Sequence, residues 1–443
     1  MKTFPKGGVH PPENKISAGI PIEVLPVPEQ VIIPINQHLG APAEPVVEKG
    51  DTVKAGQIIA RSKGFVSANI HSSVSGKVLK VDKAIDSSGY KQTSVVINVE
   101  GDEWLESVDL SGNHKREINL TGEEIIKKCS ENGIVGMGGA TFPSHVKLSI
   151  PPGKKCDVLI INGVECEPYL TSDHRLMLEK TVELLTGTSL LMKALGVEKA
   201  MIGVERNKTD AIEKLQAEVS EYNGISVHSL KVKYPQGAEK QLIRALIKRE
   251  VPSGGLPVDV GTVVHNVGTA YAVYEAVQNN KPLVERVVTV SGKDLKKPVN
   301  LLTRIGTPVS KLIDYAGGLP GSTAKVVNGG PMMGKAIASL DIPVTKGTSG
   351  IILFTDTESQ RSETGPCIRC SKCISACPMG LEPYLLMTLT EKELYERAEK
   401  ERIMDCMECG SCSYVCPANR PLLDYIRLGK ANVGRIIRER TQK

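Results

Sequence analysis

CIRCSKCISACP (residues 367–378) and CMECGSCSYVCP (residues 406–417) share one spacing, C-x2-C-x2-C-x3-C-P. Three cysteines so spaced put three thiolates on one tight loop, within reach of three corners of an iron–sulfur cubane. The fourth follows a longer step and precedes a proline, so it points away from its own loop. Where such a run occurs twice, the fourth thiolate ligates the other cluster. The spacing therefore predicts two 4Fe–4S clusters. Cys367, Cys370, Cys373 and Cys416 would hold one; Cys406, Cys409, Cys412 and Cys377 would hold the other. Structural zinc would pair two C-x2-C hooks and leave the third regular cysteine and the proline without a purpose. Disulfides need an oxidising compartment, and the opening stretch MKTFPKGGVHPPENK has no apolar export signal. Ile368, Ile374, Leu381, Ile403 and Val415 are the apolar neighbours expected to keep water from the cubanes.

These runs hold eight of the 11 cysteines in a chain of 443 residues. Cys129 and Cys156 read as small buried hydrophobes, whereas Cys166 lies in a loop that looks functional. Between the runs, EKELYERAEKERIM (391–404) is rich in helix formers and in charges three or four apart, so the cluster domain (362–425) is expected to be a helical ferredoxin variety. Beyond it, RPLLDYIRLGKANVGRIIRERTQK (420–443) is basic and amphipathic. Its last part (426–443) reads as a tail that is either a solvated helix or a docking element for a partner or an anionic leaflet.

The rest of the composition narrows the classes. With 55 basic and 50 acidic residues and 4% aromatics, the chain has neither the charge nor the stacking platforms of a nucleic-acid binder. No apolar run approaches the ~18–20 residues that span a bilayer, so membrane contact is expected to be peripheral only. The 42 glycines and 27 prolines indicate turns and short strands more than a helical bundle.

Three further units follow from periodicity. Residues 1–115 form an N-terminal region. Within it, short β-branched runs separated by turns at 49–51, 54–56 and 75–76 suggest a small all-β unit at about 35–100. It resembles the barrel-sandwich hybrid of lipoyl and biotinyl domains. The hairpin tip that should carry a modified lysine reads Asn69-Ile70-His71-Ser72-Ser73 instead. A structural role is therefore expected, with His71 a surface or turn histidine. From 121 to 282, TGEEIIKKCSENG opens a helix with a Thr121–Glu124 capping box. Strand-like runs at 156–163, 200–204 and 225–232 then alternate with helical ones, the pattern of a parallel α/β sheet. Residues 285–350 carry one short helix (309–316) between strands, a β-grasp-like module. A Ser/Thr/Gly-rich link at 355–366 leads to the cluster domain. The fold class expected is multidomain α/β.

In the α/β unit, GIVGMGGATFP (133–143) is glycine-rich but follows a helix, so the dinucleotide fingerprint, which follows a strand, does not apply. Asn162 to Pro168 (NGVECEP) lie at the carboxyl end of a predicted strand, where open α/β sheets bind ligands. His265-Asn266-Val267-Gly268-Thr269 opens a helix, and helix N-termini favour phosphate.

GMGGATFP (136–143), INGVECEP (161–168), YPQGAEKQL (234–242) and VVHNVGTAYAV (263–273) resemble the flavin and NADH segments of the complex I flavoprotein subunit. In domain order the chain resembles, over essentially its full length, the RnfC family of Rnf complexes, membrane-bound ferredoxin–NAD oxidoreductases. The β-grasp piece resembles the SLBB (soluble-ligand-binding β-grasp) domain of those proteins, and the α/β unit a Rossmann-like flavin domain. The resemblance implies non-covalent FMN with NAD(H) stacked on it. Gly136, Gly138, Gly139, Lys147 and Asn162 would line flavin and phosphate. Asn266 and Thr269 would close the site, and Glu165 and Glu167 would stand near the nicotinamide and its ribose. It implies a translocase subunit at the cell membrane, peripheral on the cytoplasmic side. Its partners would be the membrane-embedded and iron–sulfur subunits, with ferredoxin engaged indirectly and Na+ or H+ as coupling ion. Two departures stand out: Met137 replaces an arginine and His265 an asparagine. Two competing readings use the same parts. One is a soluble NADH-dependent reductase such as a cobalamin reductase; the other is a cluster-only electron-carrier scaffold.

Overall fold

The computed structural model describes residues 1–86 and 89–441. Ser87 and Ser88, inside the expected barrel-sandwich stretch, and Gln442 and Lys443, at the end of the expected tail, lie outside the described residues.

At the centre is a four-stranded sheet in the order Ile225–Leu230, Ala200–Glu205, Val158–Gly163, Thr262–Asn266, every pair parallel. Its strands are near-continuous apolar runs because both faces are covered. Leu159 and Ile161 enter the core beneath the helices Gly122–Glu131, Thr181–Leu195 and Val267–Gln278. Ile160 and Val264 enter the opposite core with Leu242 and Leu246 of the helix Glu239–Ile247. The Gly122–Glu131 helix begins where its capping box predicts: Thr121 Oγ1 accepts from Glu124 N and the Glu124 carboxylate accepts from Thr121 N. Two strands lie to one side of Val158–Gly163 and Thr262–Asn266 lies to the other. The order in which strands are added thus reverses beside Asn162 and Asn266, which are partners in register. Such a switch point opens a crevice at the strands' carboxyl ends.

The N-terminal β unit has two antiparallel sheets. One runs Gln30–Pro34, Lys91–Val99, Gly76–Ile85, Thr52–Val53; the other runs Glu44–Pro45, Ile58–Arg61, Ile70–His71. Its hairpin tip is buried, which corrects the surface reading of His71. That ring is 5% exposed, and burial pushes its pKa down to about 3. The tip is a dock between domains. Ser73 Oγ donates to Ile305 O (2.5 Å), and the buried Lys346 Nζ donates to Asn69 O (2.9 Å) and Gly133 O (2.7 Å). A tip committed to these contacts has no freedom to swing.

The β-grasp module is a six-stranded mixed sheet packed on the helix Val309–Tyr315. It reaches past the expected ends: Ile22–Val24 adds an edge strand, and Gly350–Thr355 completes the centre. The short helix Asp356–Ser359 then starts the link.

In the cluster domain, the expected helix at 391–404 is broken into Pro383–Glu391, Tyr395–Lys400 and a turn at Ile403–Asp405. The breaks fall where Glu393 and Arg402 adopt positive φ. The expected tail is one helix, Leu422–Thr441, and it is integral to this domain. Leu422, Ile426 and Val433 are buried with Leu386, Met387 and Ile403. Its apolar stripe is therefore already covered, which corrects the leaflet-docking reading of 426–443. No helix among the described residues is long and apolar enough to cross a membrane.

Candidate functional site

The switch-point crevice brings together four segments distant in sequence. The glycine loop is tied down by Met137 N donating to Thr269 Oγ1 (3.0 Å). It crosses so close to the Val267–Gln278 helix that a Cβ at Gly138 would lie 2.9 Å from Asn266 Nδ2, whereas one at Gly139 would meet nothing within 4 Å. Glycine at 138 is thus required by packing, and the loop keeps an open outer face. Asn266 caps the helix by accepting from Gly268 N (2.8 Å) and donates to Asp173 Oδ2 (2.7 Å). Asn162 holds the third segment, donating to Gly237 O (2.8 Å). Lys147 Nζ donates to Glu239 Oε1 (2.6 Å) and Val264 O (2.8 Å). Gly136 pairs with Phe142 across the loop.

Glu165 and Glu167 do different things. Glu165, at positive φ, turns its carboxylate onto the start of the helix Ser172–Glu179, accepting from Asp173 N (2.8 Å) and His174 N (3.1 Å). Burial, then the Glu165 charge, raises the Asp173 pKa. Glu167 faces away, toward the cluster domain. Its Oε2 accepts from Met332 N (3.0 Å), and burial lifts its pKa to about 7. Between them sits a residue with no signal in the irregular N-terminal sequence. Lys15 Nζ donates to the carbonyls of Glu165 (2.8 Å), Glu167 (2.8 Å) and Leu170 (2.6 Å). Burial, then Lys208, lowers its pKa to about 8. Three carbonyls on one ammonium fix the acidic loop.

The two departures have visible consequences. Beside Met137 lies Arg286 of the β-grasp module, 4% exposed, its Nη1 2.7 Å from the Met137 sulfur. A guanidinium thus stands behind the glycine loop although the loop has none. His265 is buried, with neither ring nitrogen bonded, and burial then Lys147 pushes its pKa to about 3.

The cysteines fall into two environments. Cys377, Cys406, Cys409 and Cys412 line one apolar cavity, with Pro378, Leu386 and Ile426. The fourth cysteine of the first run thus joins three of the second. Cys373 and Cys416 approach each other within the same core, while Cys367 and Cys370 are exposed. Backbone N–H groups of Leu381, Glu408 and Arg420 point at the sulfurs of Cys377, Cys406 and Cys416, each at 3.4 Å. Bonds of this kind stabilise thiolate and tune cluster potential. Among the described residues no three Cys, His, Asp or Glu side chains converge as they would around a single ion. Four thiols around an apolar cavity suit a larger cubane. Leu381 and Ile403 are buried as expected; Ile368, 65% exposed, is not a water shield. Cys129 and Cys156 are buried apolar residues, their thiol pKa values raised by burial. Cys166 accepts from Gly237 N (3.4 Å) between the crevice and the clusters.

Fold and site together define a flavin- and iron–sulfur-binding electron-transfer protein. Four family models match in sequence: the RnfC barrel sandwich hybrid domain (2–102), the Nuo51 FMN-binding domain (129–275), the SLBB domain (287–336) and a 4Fe–4S dicluster domain (360–417). The chain is 50% identical to the C subunit of the proton-translocating ferredoxin:NAD(+) oxidoreductase complex of Clostridium ljungdahlii, over 97% of this chain and 94% of that protein. It is 47% identical to the Na(+)-translocating counterpart of Acetobacterium woodii (97% and 96%). With the C subunit of the ion-translocating oxidoreductase complex of Rhodobacter capsulatus it shares 41% (97% and 83%). The chain belongs to the RnfC family, and its cofactor domains are an FMN-binding domain and a 4Fe–4S dicluster domain. An NAD+-reducing NiFe hydrogenase shares the fold at TM-score 0.50 and 20% identity, over 70% of this chain and 62% of that one.

Proposed function

We propose that this chain is the NAD(H)-reactive, peripheral subunit of a membrane-bound Rnf complex. It carries electrons between reduced ferredoxin, reached through partner subunits, and NAD(H), while membrane-embedded partners translocate Na+ or H+. It is held on the cytoplasmic side by those partners. The names of the relatives supply the setting. The observation that carries the reading is internal: one segment, Tyr234 to Gly237, touches both the switch-point crevice and the thiol cavity.

Bound FMN supplies the exchange between hydride and single electrons that neither nicotinamide nor a cluster can make alone. These residues would place it. The capped N-terminus of the Val267–Gln278 helix, with Lys147, offers N–H groups and positive charge to a phosphate. Gly136, Gly138 and Gly139 leave the loop's outer face free for a flat ring, and Asn162 and Thr269 hold the walls of the crevice. Glu165, on the loop fixed by Lys15, would stand on the nicotinamide and ribose side, whereas Glu167 is turned toward the clusters. At the other end, Cys367, Cys370, Cys373 and Cys416 would hold one cubane, and Cys377, Cys406, Cys409 and Cys412 the other.

The test is the holoprotein purified with its partners from native membranes. NADH should bleach the flavin absorbance, and the chain should carry about eight irons. A chain with clusters but no flavin band, or with zinc at the eight sulfurs, sinks the reading.

A further inference from the structure

The two thiol sets are not equivalent toward the crevice. Cys409 and Cys412 are each 8% exposed, whereas Cys367 and Cys370 are open to solvent. The contacts that join the cluster domain to the rest of the chain converge on the buried set. Tyr234 Oη donates to Cys409 O (2.8 Å) and reaches Glu167 Oε1 (3.4 Å). Glu167 in turn holds Met332 N, and a Cβ at the next residue of the cluster loop, Gly410, would lie 3.0 Å from Met332 O. On the other side of the cavity, Gly8 N donates to Ala376 O (2.9 Å), and Gly7 passes so close that a Cβ there would overlap the Cys377 backbone at 2.5 Å. Gln241 Nε2 donates to Pro378 O (3.3 Å).

We propose that the cluster held by Cys377, Cys406, Cys409 and Cys412 is the one that exchanges electrons directly with the flavin, and that the Cys367–Cys370–Cys373–Cys416 cluster is the outer one. This deepens the function proposed above and rests on it. Asn162 meets Gly237 and Tyr234 meets Cys409, and Lys147 meets Glu239, two residues before the Gln241 that bonds Pro378 O, so both links from the crevice end on this thiol set. NADH yields NAD+, one proton and two electrons. The first electron would pass through the inner cubane to the outer one and the second would then occupy the inner one, each cubane taking one electron until a partner subunit draws them off. Tyr234 positions the Cys409 loop and takes no electron itself.

The experiment compares the holoprotein with Cys370→Ser and Cys412→Ser by rapid freezing after NADH addition and electron paramagnetic resonance of the reduced clusters. Cys370→Ser should keep an NADH-reduced cluster signal that forms as fast as in the parent. Cys412→Ser should keep a cluster that dithionite reduces but that NADH fails to reduce on that time scale. Equal NADH reduction in both variants, or fast reduction in Cys412→Ser alone, overturns the order. If Cys412→Ser does not fold, Glu167→Gln in the intact protein decides by redox titration at pH 8.5. Losing a buried charge beside the Cys409 loop should raise the midpoint of the signal that Cys370→Ser retains more than that of the other. A larger shift in the other signal, or none, overturns the order. Flavin bleaching by NADH in the parent separates the two failures. Bleaching with the wrong cluster pattern removes the order alone; no bleaching removes the functional reading with it.

Discussion

The crevice and the thiol cavity are built in opposite ways. In the crevice nearly every polar side chain already has a partner within the polypeptide: Asn266 with Asp173 and Gly268, Lys147 with Glu239, Glu165 with a helix N-terminus, Lys15 with three carbonyls. It sits on a sheet with an apolar core on each face, the one beneath Thr181–Leu195 and Val267–Gln278 the largest in the molecule. In the cluster domain the thiols meet mainly each other and apolar walls, and burial pushes Cys406 up to about 11 and Cys412 to about 12. Its core is small, and the cysteines are part of it. The first site is held by the chain; the second is organised around what the thiols bind. Metal binding and folding are then one equilibrium in the second region and not in the first.

Removing iron with a chelator under reducing conditions is the strongest way to break this contrast. We expect Pro383–Glu391 and Leu422–Thr441 to lose protection from hydrogen exchange while Val158–Gly163 stays protected. Protection retained in both regions would show that the cluster domain stands on its own apolar core. The next largest effect lies on the crevice side. Lys346→Ala leaves the Asn69 and Gly133 carbonyls without their donor, at roughly 2–4 kcal/mol by urea unfolding, with the cluster signals unchanged. Burial lowers the Lys346 pKa from 10.5 to about 7. Between those values the unfolded chain holds the proton and the folded one does not, so this group makes stability rise with pH across that window. The variant should flatten that slope. Glu167 works in the opposite sense. Its raised pKa means the folded chain holds the extra proton, so its contribution falls as pH climbs from about 4.5 to about 7.

What was legible in sequence followed the same divide. Cysteine spacing is local chemistry, so two ligand sets could be proposed from two twelve-residue runs, and one cavity brings Cys377 together with Cys406, Cys409 and Cys412. The capping box at Thr121 and the apolar strands were equally local. Two of the misreadings came from long-range contact. His71 looks like a turn residue until Lys346, 275 positions further on, covers its hairpin; Leu422–Thr441 looks like a free amphipathic helix until Leu386 and Ile403 cover its stripe. Lys15 and Arg286 carried no periodic or motif signal, because what makes each matter is a loop more than a hundred residues away.

Two smaller substitutions sharpen the contrast inside the crevice. Asn266→Ala removes the cap of the Val267–Gln278 helix, about 1–2 kcal/mol, and frees the Asp173 carboxyl. FMN retention through gel filtration should fall while iron content stays at the parent value. Thr269→Val is milder and more telling. The change keeps the side chain's shape and removes only the oxygen that accepts from Met137 N. That N–H is buried, so the cost is about 1–3 kcal/mol, borne by the glycine loop and not by the sheet. If the loop's position is what receives the flavin, affinity for FMN should drop by more than overall stability does, read as a roughly ten-fold higher Kd for each 1.4 kcal/mol. Equal losses in both would mean that Thr269 serves the fold alone, and that the crevice is less pre-organised than its hydrogen bonds indicate.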